Sequence, residues 1–340
     1  MRVLPFAALL LAGCATTSAP LATEAPMVAA TAETDPVDTA ADAADDPAIW
    51  RNPADPSKSL VIGTDKKAGI HVYSLAGKRL SFTPAERLNN VDLRETGARV
   101  IAAASDRADV ATAHVSLFTL DTAAAKLVPL GRFPVGAGEA YGMCLWTRAR
   151  DHALFGFIVL KDGRIDQVAI DLSGATPKVT TVRSMKLATQ SEGCVVDDRT
   201  GQLYVAEEDV GLWRFDADPS AATTATAIAR VDGKTLVADA EGLALAPSGR
   251  TGGYLVASSQ GDNAYTLYRL PGVTYAGRFR IGGGAIDGTS DTDGIDLMLG
   301  DFGPAYPRGL LVAQDGDNAP ATQNFKYVSW DAVRRALKLP

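Results

Sequence analysis

Residues 45–50 read Asp-Asp-Pro-Ala-Ile-Trp, an acidic pair followed at once by a short apolar stretch. Five further segments share this design: NNVDLR, EAYGMCLW, SEGCVVDD, AEGLALA and DTDGIDLM. The acidic residues of the six segments are Asp46, Asp92, Glu139, Glu192, Glu241 and Asp293. Because successive members lie 46, 47, 53, 49 and 52 residues apart, the chain is predicted to contain six copies of one structural unit.

Each unit continues with a second apolar run such as LVIGT or VIAAAS, then a Gly- and Asp-rich turn and a third, alternating run such as IHVYSL or LYRL. Alternation with period two between turn residues is typical of antiparallel strands. A four-stranded unit of about 40 to 50 residues cannot bury both faces alone and stacks on its neighbours, as propeller blades do. We therefore predict an all-β, six-bladed β-propeller. A sandwich of two sheets is the alternative, and the repeat argues against it.

The last unit reaches its third strand at NFKYVSW, and only DAVRRALKLP follows in the sequence. That segment is too short for both an outer strand and a closing helix. We expect residues near Pro26 to Thr34 to supply the missing strand and so close the ring.

Composition narrows the possible functions. The chain has 340 residues, 46% of them hydrophobic, and a formal net charge of −7; these values disfavour disorder and partners such as nucleic acid or anionic lipid. The three histidines, His71, His114 and His152, are too scattered for a histidine-based zinc site. No segment past the N-terminus is apolar for long enough to form a membrane helix. We therefore expect chemistry based on carboxylates, in a monomeric protein.

The first 14 residues resemble a bacterial lipoprotein signal. Met1-Arg-Val is basic, Pro5 to Ala12 is apolar, and the segment ending at Cys14 is similar to the cleavage site that makes this cysteine the lipid acceptor. An ordinary secretory signal is the alternative. Residues 15–26 have the composition of a flexible tether, which leaves 27–340 for the propeller domain. We expect an exported protein, either a lipoprotein of the outer membrane or periplasm or a secreted protein.

Two further cysteines, Cys144 and Cys194, would then lie in an oxidising compartment, where a disulfide is chemically permitted. The sequence leaves their pairing open. We favour the interpretation that both are small buried hydrophobic side chains on neighbouring strands.

The acidic residues of the repeat predict a cation site. If the first strand of every unit lines the central channel, these residues meet at its mouth. Carboxylates a few ångströms apart raise one another's pKa or require a cation, and oxygen ligands without His or Cys suit Ca²⁺. More carboxylates follow at Glu207-Glu208-Asp209, Asp239, DGTSDTDG and QDGDN, without EF-hand spacing. Each such loop alone is typical of a solvated turn, but their recurrence at equivalent positions favours calcium binding.

Basic residues also recur at one position, the end of the second strand, as Lys66-Lys67, Arg107 and Lys161. Each alone is typical of a solvent-facing side chain. Together they would form a cationic arc opposite the carboxylates, with Arg offering paired hydrogen bonds to phosphate and Lys a point charge. Tyr141 could donate its hydroxyl to the same ligand, or belong to the core. The arrangement predicts a polyanionic ligand.

Residues 33–50 (ETDPVDTAADAADDPAIW) and 89–94 (NNVDLR), with SEGCVVDD, YVAEED, SSQGDN, DGTSDTDGID and QDGDN, resemble the β-propeller phytases from Glu33 to the C-terminus. This resemblance implies a phosphoric monoester hydrolase of the 3-phytase type, which releases phosphate from myo-inositol hexakisphosphate (phytate) with the help of Ca²⁺. Asp317 departs from the Glu, and Asp65 from the Asn, that many members carry. No Ser, Cys or His constellation for a phosphoenzyme stands out, so we expect direct attack by water.

The resemblance also implies roles for individual residues. The ligands of stabilising Ca²⁺ would be Glu33, Asp46, the carbonyls of Pro47 and Val91, Asn90, Asp287, Asp315, Asp317 and Asn318. The carboxylates holding catalytic Ca²⁺ would be Asp45, Glu192, Glu208, Asp239, Glu241 and Asp293. The phosphate-binding residues would be Lys66, Arg107, Tyr141 and Lys161, with Lys67 beside Lys66.

Two other functions fit a propeller with acidic loops. A calcium-dependent lactonase also places carboxylates in the channel, but it has no need of three coordinated basic side chains. A non-catalytic propeller could capture a ligand at the cell surface, but a scaffold does not need acid-rich loops at all six strand starts.

Overall fold

The structure, a computed structural model, describes residues 23–340. The signal segment, Cys14 and most of the predicted tether lie outside the described residues. Within residues 23–340 no helix is long and apolar enough to cross a membrane. The regular secondary structure of this part of the chain is almost entirely β-strand, with two 3-10 turns at Pro56–Lys58 and Gln260–Asp262 and a short C-terminal helix, α1, at Trp330–Ala336.

Two short strands precede the first blade, and each blade then runs from an inner to an outer strand. The two preceding strands are β1 (Met27–Val28) and β2 (Ala32–Glu33). Blade 1 consists of β3 (Ala44–Trp50), β4 (Leu60–Asp65), β5 (Gly69–Ser74) and β6 (Arg79–Pro84), and blade 2 of β7 (Leu88–Thr96), β8 (Arg99–Asp106), β9 (Thr112–Asp121) and β10 (Lys126–Ala137). Blade 3 consists of β11 (Ala140–Thr147), β12 (Leu154–Leu160), β13 (Arg164–Asp171) and β14 (Lys178–Lys186).

Blades 4 to 6 repeat the same antiparallel order. Blade 4 consists of β15 (Ser191–Asp197), β16 (Gln202–Glu207), β17 (Gly211–Asp216) and β18 (Thr226–Arg230), and blade 5 contains β19 (Ala240–Ser248), β20 (Gly252–Ser259), β21 (Ala264–Leu270) and β22 (Thr274–Ile281). Blade 6 contains β23 (Ile295–Leu299), β24 (Gly309–Asp315) and β25 (Asn324–Ser329). The inner strands β3, β7, β11, β15, β19 and β23 lie side by side in a closed ring. The predicted six-bladed propeller is therefore confirmed.

The ring closes through the N-terminal segment, as predicted. Strand β2 pairs antiparallel with β25, with Ala32 opposite Tyr327, and completes blade 6 as its fourth strand. Strand β1 was not anticipated as a separate element. It pairs in parallel with β22, so blade 5 has five strands.

The core consists of apolar clusters between adjacent blades. Ile62 and Val72 of blade 1, for example, pack with Leu93 and Ala102 of blade 2. A corresponding cluster joins each neighbouring pair, including blades 6 and 1. Burial between blades is what the two-sided apolar patterning of the strands requires, and it fixes the position of the inner strands around the channel.

Cys144 and Cys194 form a disulfide that joins the inner strands of blades 3 and 4. Our favoured interpretation of two unpaired cysteines is therefore wrong. Both side chains are buried, as expected, but β11 and β15 are direct neighbours in the ring and the Cα atoms lie 5.7 Å apart. That separation falls within disulfide range.

Removing this disulfide should lower stability without removing activity. The bridge spans 50 residues, for which the loss of chain entropy in the unfolded state corresponds to about 4 kcal/mol. We expect a double Cys144→Ala, Cys194→Ala variant to melt several degrees below the wild type. Reductant should lower the melting temperature of the wild type and leave that of the variant unchanged. If the disulfide of the wild type is reduced and its melting temperature does not change, the prediction is wrong.

Candidate active site

The inner strands carry an irregularity at the same height in most blades. In β3, Ala44 pairs with Asp65 and Pro47 with Gly63, so Asp45 and Asp46 are out of register. Strands β7, β11, β15 and β19 have matching register shifts. The irregularity turns its first residue towards the channel mouth, as β-bulges at functional sites do. We call these residues, with the matching residue just before β23, the inner ring: Asp45, Asn89, Tyr141, Glu192, Glu241 and Asp293.

The expectation of six acidic residues at the mouth is therefore wrong for blades 1 to 3. Asp46 is buried below the mouth, where its carboxylate accepts a hydrogen bond from the Val91 N–H at 2.9 Å. Asp92 lies farther along the channel and pairs with Arg94. Glu139 pairs with a basic side chain at the rim. Asp46, Asp92 and Glu139 lie one, three and two residues, respectively, from the residue of the same blade that belongs to the inner ring.

A second set of residues surrounds the first. The residue after each second strand donates its backbone N–H to the loop before the inner strand, as Lys66 does to the Ala43 carbonyl at 2.7 Å. We call this set the outer ring: Lys66, Arg107, Lys161, Glu208, Gln260 and Gly316. Its charge is uneven, since blades 1 to 3 contribute three cations and blade 4 a carboxylate. The equivalent placement of Lys66, Arg107 and Lys161 that the repeat predicted is what the structure shows.

Glycines bring the inner ring together. Gly142, Gly193, Gly242 and Gly294 each follow an inner-ring residue. A Cβ atom on Gly193 would lie 2.3 Å from the Glu241 carbonyl oxygen, and the other three positions are similarly crowded. Only glycine allows neighbouring inner strands to approach so closely. This local sequence feature places the carboxylates of consecutive blades side by side.

A cavity of about 730 Å³ lies at this end of the channel, against members of both rings. Its lining includes Lys66, Tyr141, Glu208, Asp239, Glu241, Gln260, Asp293, Asp317 and Asn318. Within the described part of the chain, this lining contains no Ser, Cys or His. The cavity therefore joins carboxylates with the Lys66 ammonium and offers none of these three nucleophiles.

Glu192, Glu208 and Glu241 form the best candidate cation site. One carboxylate oxygen from each lies within 4.8 Å of the others. Glu208 Oε1 and Glu241 Oε2 are buried and have no hydrogen-bond partner. Buried carboxylate oxygens without partners are costly, and a hard divalent cation satisfies them. The donor set fits such a cation.

The pKa values of these groups report the same repulsion. Burial, followed by the charge of Asp45, raises the pKa of Glu192 well above its usual range, and burial with Glu192 nearby does so for Glu241. Burial raises the pKa of Glu208 to about 6 and that of Asp293 to about 7. Without a cation the site thus favours protonated carboxyls.

Metal-free protein should consequently lose stability as the pH rises. The folded protein holds protons on these carboxyls more tightly than the unfolded chain does, so stability declines from about pH 4.5, where the unfolded groups titrate, through the folded values near 6 and 7. We expect chelated protein to melt lower at pH 8 than at pH 5.5. Glu208→Gln should weaken this dependence, and divalent cation should raise the melting temperature at pH 8. An equal or higher melting temperature at pH 8 would refute the prediction.

The basic residues lie against this acidic half. Lys66 Nζ is 2.7 Å from Asp42, 3.1 Å from Asp45 and 3.0 Å from Asp293. Although burial lowers its pKa, the charges of Asp45 and Asp293 outweigh burial and raise it, so Lys66 is a cation. Lys67, by contrast, is exposed and donates to the Ala40 carbonyl. The structure does not bring Lys67 into the cavity.

Arg107 and Lys161 flank Tyr141. The Arg107 guanidinium and the Lys161 ammonium lie 5.2 and 5.1 Å from the centre of the Tyr141 ring. Arg107 Nε is also 2.9 Å from Glu139 Oε1. Burial and the nearby Glu192 raise the pKa of Tyr141, so its hydroxyl remains protonated and can donate.

The predicted ligands of stabilising calcium fall into two groups. Asp46, Pro47, Asn90 and Val91 lie together below the mouth and line the channel. The other group surrounds the buried Lys326, whose Nζ is 2.5 Å from Glu33, 2.5 Å from Asp287, 3.2 Å from Asp315 and 3.1 Å from Asn318 Oδ1. Asp317 lies at the edge of the cavity instead. In this second group an ammonium already occupies the centre.

Comparison with known proteins agrees with this arrangement. Residues 2–339 match the phytase family. The chain belongs to that family. It is 42% identical to a 3-phytase of Bacillus subtilis (strain 168) over 329 residues, which cover 91% of this chain and 85% of the relative. Membership makes it an enzyme, a phosphoric monoester hydrolase, in keeping with the resemblance found in the sequence.

A solved structure shows the same fold at much lower identity. A chain in the crystal structure of the mitotic checkpoint complex aligns with a TM-score of 0.51 and 12% identity, over 97% of this phytase-family chain and 98% of that chain. Such a match concerns the propeller architecture alone.

Sequence reasoning missed three polar residues of this site. Asn89 belongs to the inner ring, Gln260 to the outer ring, and Gln190 donates to Glu208 Oε2 at 2.7 Å. The signal for Asn89 was its alignment with Asp45 in the pairs Asn89-Asn90 and Asp45-Asp46. Uncharged amides do not match the repeated acidic pattern and so are not selected by it, although they can orient charged neighbours.

Proposed function

We propose that the protein hydrolyses phosphomonoesters of phytate with the help of Ca²⁺ held at the channel mouth. The observation that carries this is that the cavity, whose lining includes Glu208, Glu241 and Tyr141, adjoins two opposite kinds of group. On one side is the cluster of Glu192, Glu208 and Glu241, the carboxylate half of the site. On the other side are Arg107 and Lys161, which flank Tyr141, the basic half of the site. A substrate with phosphates on adjacent carbons can place one in each half. The Bacillus subtilis relative is a 3-phytase, which supports the same substrate.

The carboxylates Asp45, Glu192, Glu208, Asp239, Glu241 and Asp293 would hold the cation. Their oxygens, without His or Cys in the cluster, match the preference of Ca²⁺ for hard ligands. Calcium, when bound, supplies positive charge that offsets the phosphoryl oxygens and makes a water molecule more acidic. Water then attacks phosphorus directly, the bond to the inositol oxygen breaks, and the proton passes to that oxygen.

The basic half would hold a neighbouring phosphate. Arg107 offers a planar fork of donors, Lys161 a point charge and Tyr141 a hydroxyl donor. Lys66 spans the halves, since it contacts Asp45 and Asp293 while its ammonium borders the cavity. Asp46, Pro47, Asn90 and Val91 would hold a stabilising Ca²⁺ below the mouth, where Asp46 and the channel lining provide oxygen atoms. For Glu33, Asp287, Asp315 and Asn318, such a cation would have to share the site with Lys326.

The test is phosphate release from phytate with Ca²⁺, with chelator and with Ca²⁺ restored. Activity should vanish on chelation and return with calcium. Lys161→Ala should raise KM for phytate about 10-fold or more, because a charge-assisted contact of about 1.5 kcal/mol or more is lost. Lys178→Ala removes an exposed lysine of the same blade and should change nothing. A folded, calcium-stabilised protein that releases no phosphate would exclude this function and favour a lactonase or a binding propeller. A phosphorylated enzyme trapped by rapid quenching would exclude direct attack by water.

We further propose that the protein is exported and acts as a monomer. The basic and apolar start that ends at Cys14 supports a lipoprotein signal. The Cys144–Cys194 disulfide is consistent with an oxidising compartment. Mass determination of the exported form tests lipidation at Cys14, and sedimentation tests the oligomeric state.

A further inference from the structure

Asn89 is the one amide in the inner ring, and its side chain contacts the carboxylate half and the basic half of the site. Its Nδ2 donates to Glu192 Oε1 at 2.7 Å and to Asp45 Oδ1 at 3.2 Å. Its Oδ1 accepts a hydrogen bond from Arg107 Nη1 at 2.7 Å. The side chain is fully buried, with 0% exposure. Asn89 therefore lies directly between the carboxylates and the cationic group.

The contacts fix the orientation of this amide. Two carboxylates can only accept, and a guanidinium can only donate. Rotating the amide by half a turn would place its oxygen against two carboxylates and its N–H groups against Arg107. The observed orientation satisfies all three partners, Glu192, Asp45 and Arg107. No carboxylate, hydroxyl or aliphatic side chain of similar size provides donors at one end and an acceptor at the other.

We propose that Asn89 is a positioning residue that couples the phosphate-holding Arg107 to the metal-binding carboxylates, and thereby adapts the site to substrates with adjacent phosphates. One group of the amide holds Arg107, and the other holds Glu192 and Asp45. The planar side-chain amide of Asn89 thus fixes the distance between the phosphate held by Arg107 and the phosphate cleaved at the carboxylates. This inference rests on the proposed function.

The alternative is that Asn89 only stabilises the fold. A purely structural role would reduce activity on every substrate alike, by lowering the amount of folded enzyme. A coupling role predicts a loss that depends on whether the substrate has a second phosphate. Phytate has neighbouring phosphates, whereas p-nitrophenyl phosphate has one phosphate and leaves the basic half empty.

The experiment measures both substrates with Asn89→Ala at saturating Ca²⁺. We expect kcat/KM for phytate to fall about 10- to 100-fold, because the Arg107 guanidinium loses its acceptor and no longer holds the second phosphate at a fixed position. Saturating Ca²⁺ would still hold Glu192 and Asp45, which both substrates need. For p-nitrophenyl phosphate we expect a fall of about threefold at most. Equal losses on the two substrates would overturn the proposal.

A double-mutant cycle with Arg107→Ala tests the coupling itself. If Asn89 acts through Arg107, the double variant should hydrolyse phytate about as slowly as Arg107→Ala alone. Additive losses would contradict the proposal. Asn89→Asp separates the two contacts, since its carboxylate still accepts from Arg107 but adds a negative charge beside Glu192 and Asp45. We expect its KM for phytate to stay within about threefold of wild type, with half-maximal activity at lower Ca²⁺.

Gln167 provides the matched control. It is also a fully buried amide that accepts from an arginine, Arg183 Nε at 2.9 Å, and donates, to the Ala217 carbonyl at 2.8 Å. Gln167→Ala should lower the melting temperature and leave the ratio of the two substrates unchanged. Wild type that shows no calcium-dependent release from phytate would refute the proposed function. Wild-type activity with an unchanged substrate ratio in Asn89→Ala would refute only the present inference.

Discussion

Glu241→Gln should reduce kcat on phytate about 1,000-fold or more while raising the melting temperature of the metal-free protein. Glutamine keeps the size of the side chain but removes the charge. The lost cation interaction is worth several kcal/mol in the transition state, and about 4 kcal/mol corresponds to three powers of ten. Stability should increase because Glu241 Oε2 is buried without a partner and repels Glu192.

Opposite signs for activity and stability distinguish a functional carboxylate from a structural one. Glu207 is the control, since it is equally buried but its oxygens accept from the Thr189 N–H, the Thr189 hydroxyl and Trp213 Nε1 at 2.6 to 2.7 Å. Glu207→Gln should lower the melting temperature and retain most activity. Kinetics on phytate and melting curves with chelator give both readouts. A Glu241→Gln variant that remains active, or that melts lower without metal, would show that Glu241 is not a cation ligand.

The fold could be predicted because its determinants are local and repeated. The alternation of apolar residues in the strands, the turn residues and the spacing of the acidic segments can each be recognised in a single sequence. The closing strand followed from the length of the last unit, and Ala32–Glu33 indeed completes blade 6. The basic positions were also predictable, because Lys66, Arg107 and Lys161 directly follow second strands that pair with the third strands without a register shift.

The inner ring was harder because a bulge breaks the alternation on which side-chain direction depends. Whether Asp45 or Asp46, and whether Asn89 or Asp92, faces the channel mouth depends on how the inner strand pairs with the second strand of its blade. The disulfide depends on the distance between two blades, which no sequence spacing records. Lys326 is a lysine in an apolar strand, and its burial among carboxylates depends on side chains from three separate segments.

Gly193→Ala should nearly abolish activity and destabilise the protein, although it adds a single methyl group. The new Cβ would lie 2.3 Å from the Glu241 carbonyl oxygen and 2.8 Å from its carbon, both of them backbone atoms. Strands β15 and β19 must therefore move apart, which separates Glu192 from Glu241. A displacement of about 1 Å at a catalytic site costs about 100-fold in rate, and overpacking costs about 1 to 3 kcal/mol.

Gly272→Ala is the control for this change, because the nearest atom to its new Cβ is a side-chain carbon at 4.0 Å. It should melt and react like the wild type. For Gly193→Ala we expect a lower melting temperature, kcat on phytate reduced about 100-fold, and a higher Ca²⁺ concentration for half-maximal activity. The last effect follows because the three carboxylates no longer converge within bonding range of one cation. Wild-type activity in a folded Gly193→Ala protein would mean that close approach of the inner strands is not what assembles the site.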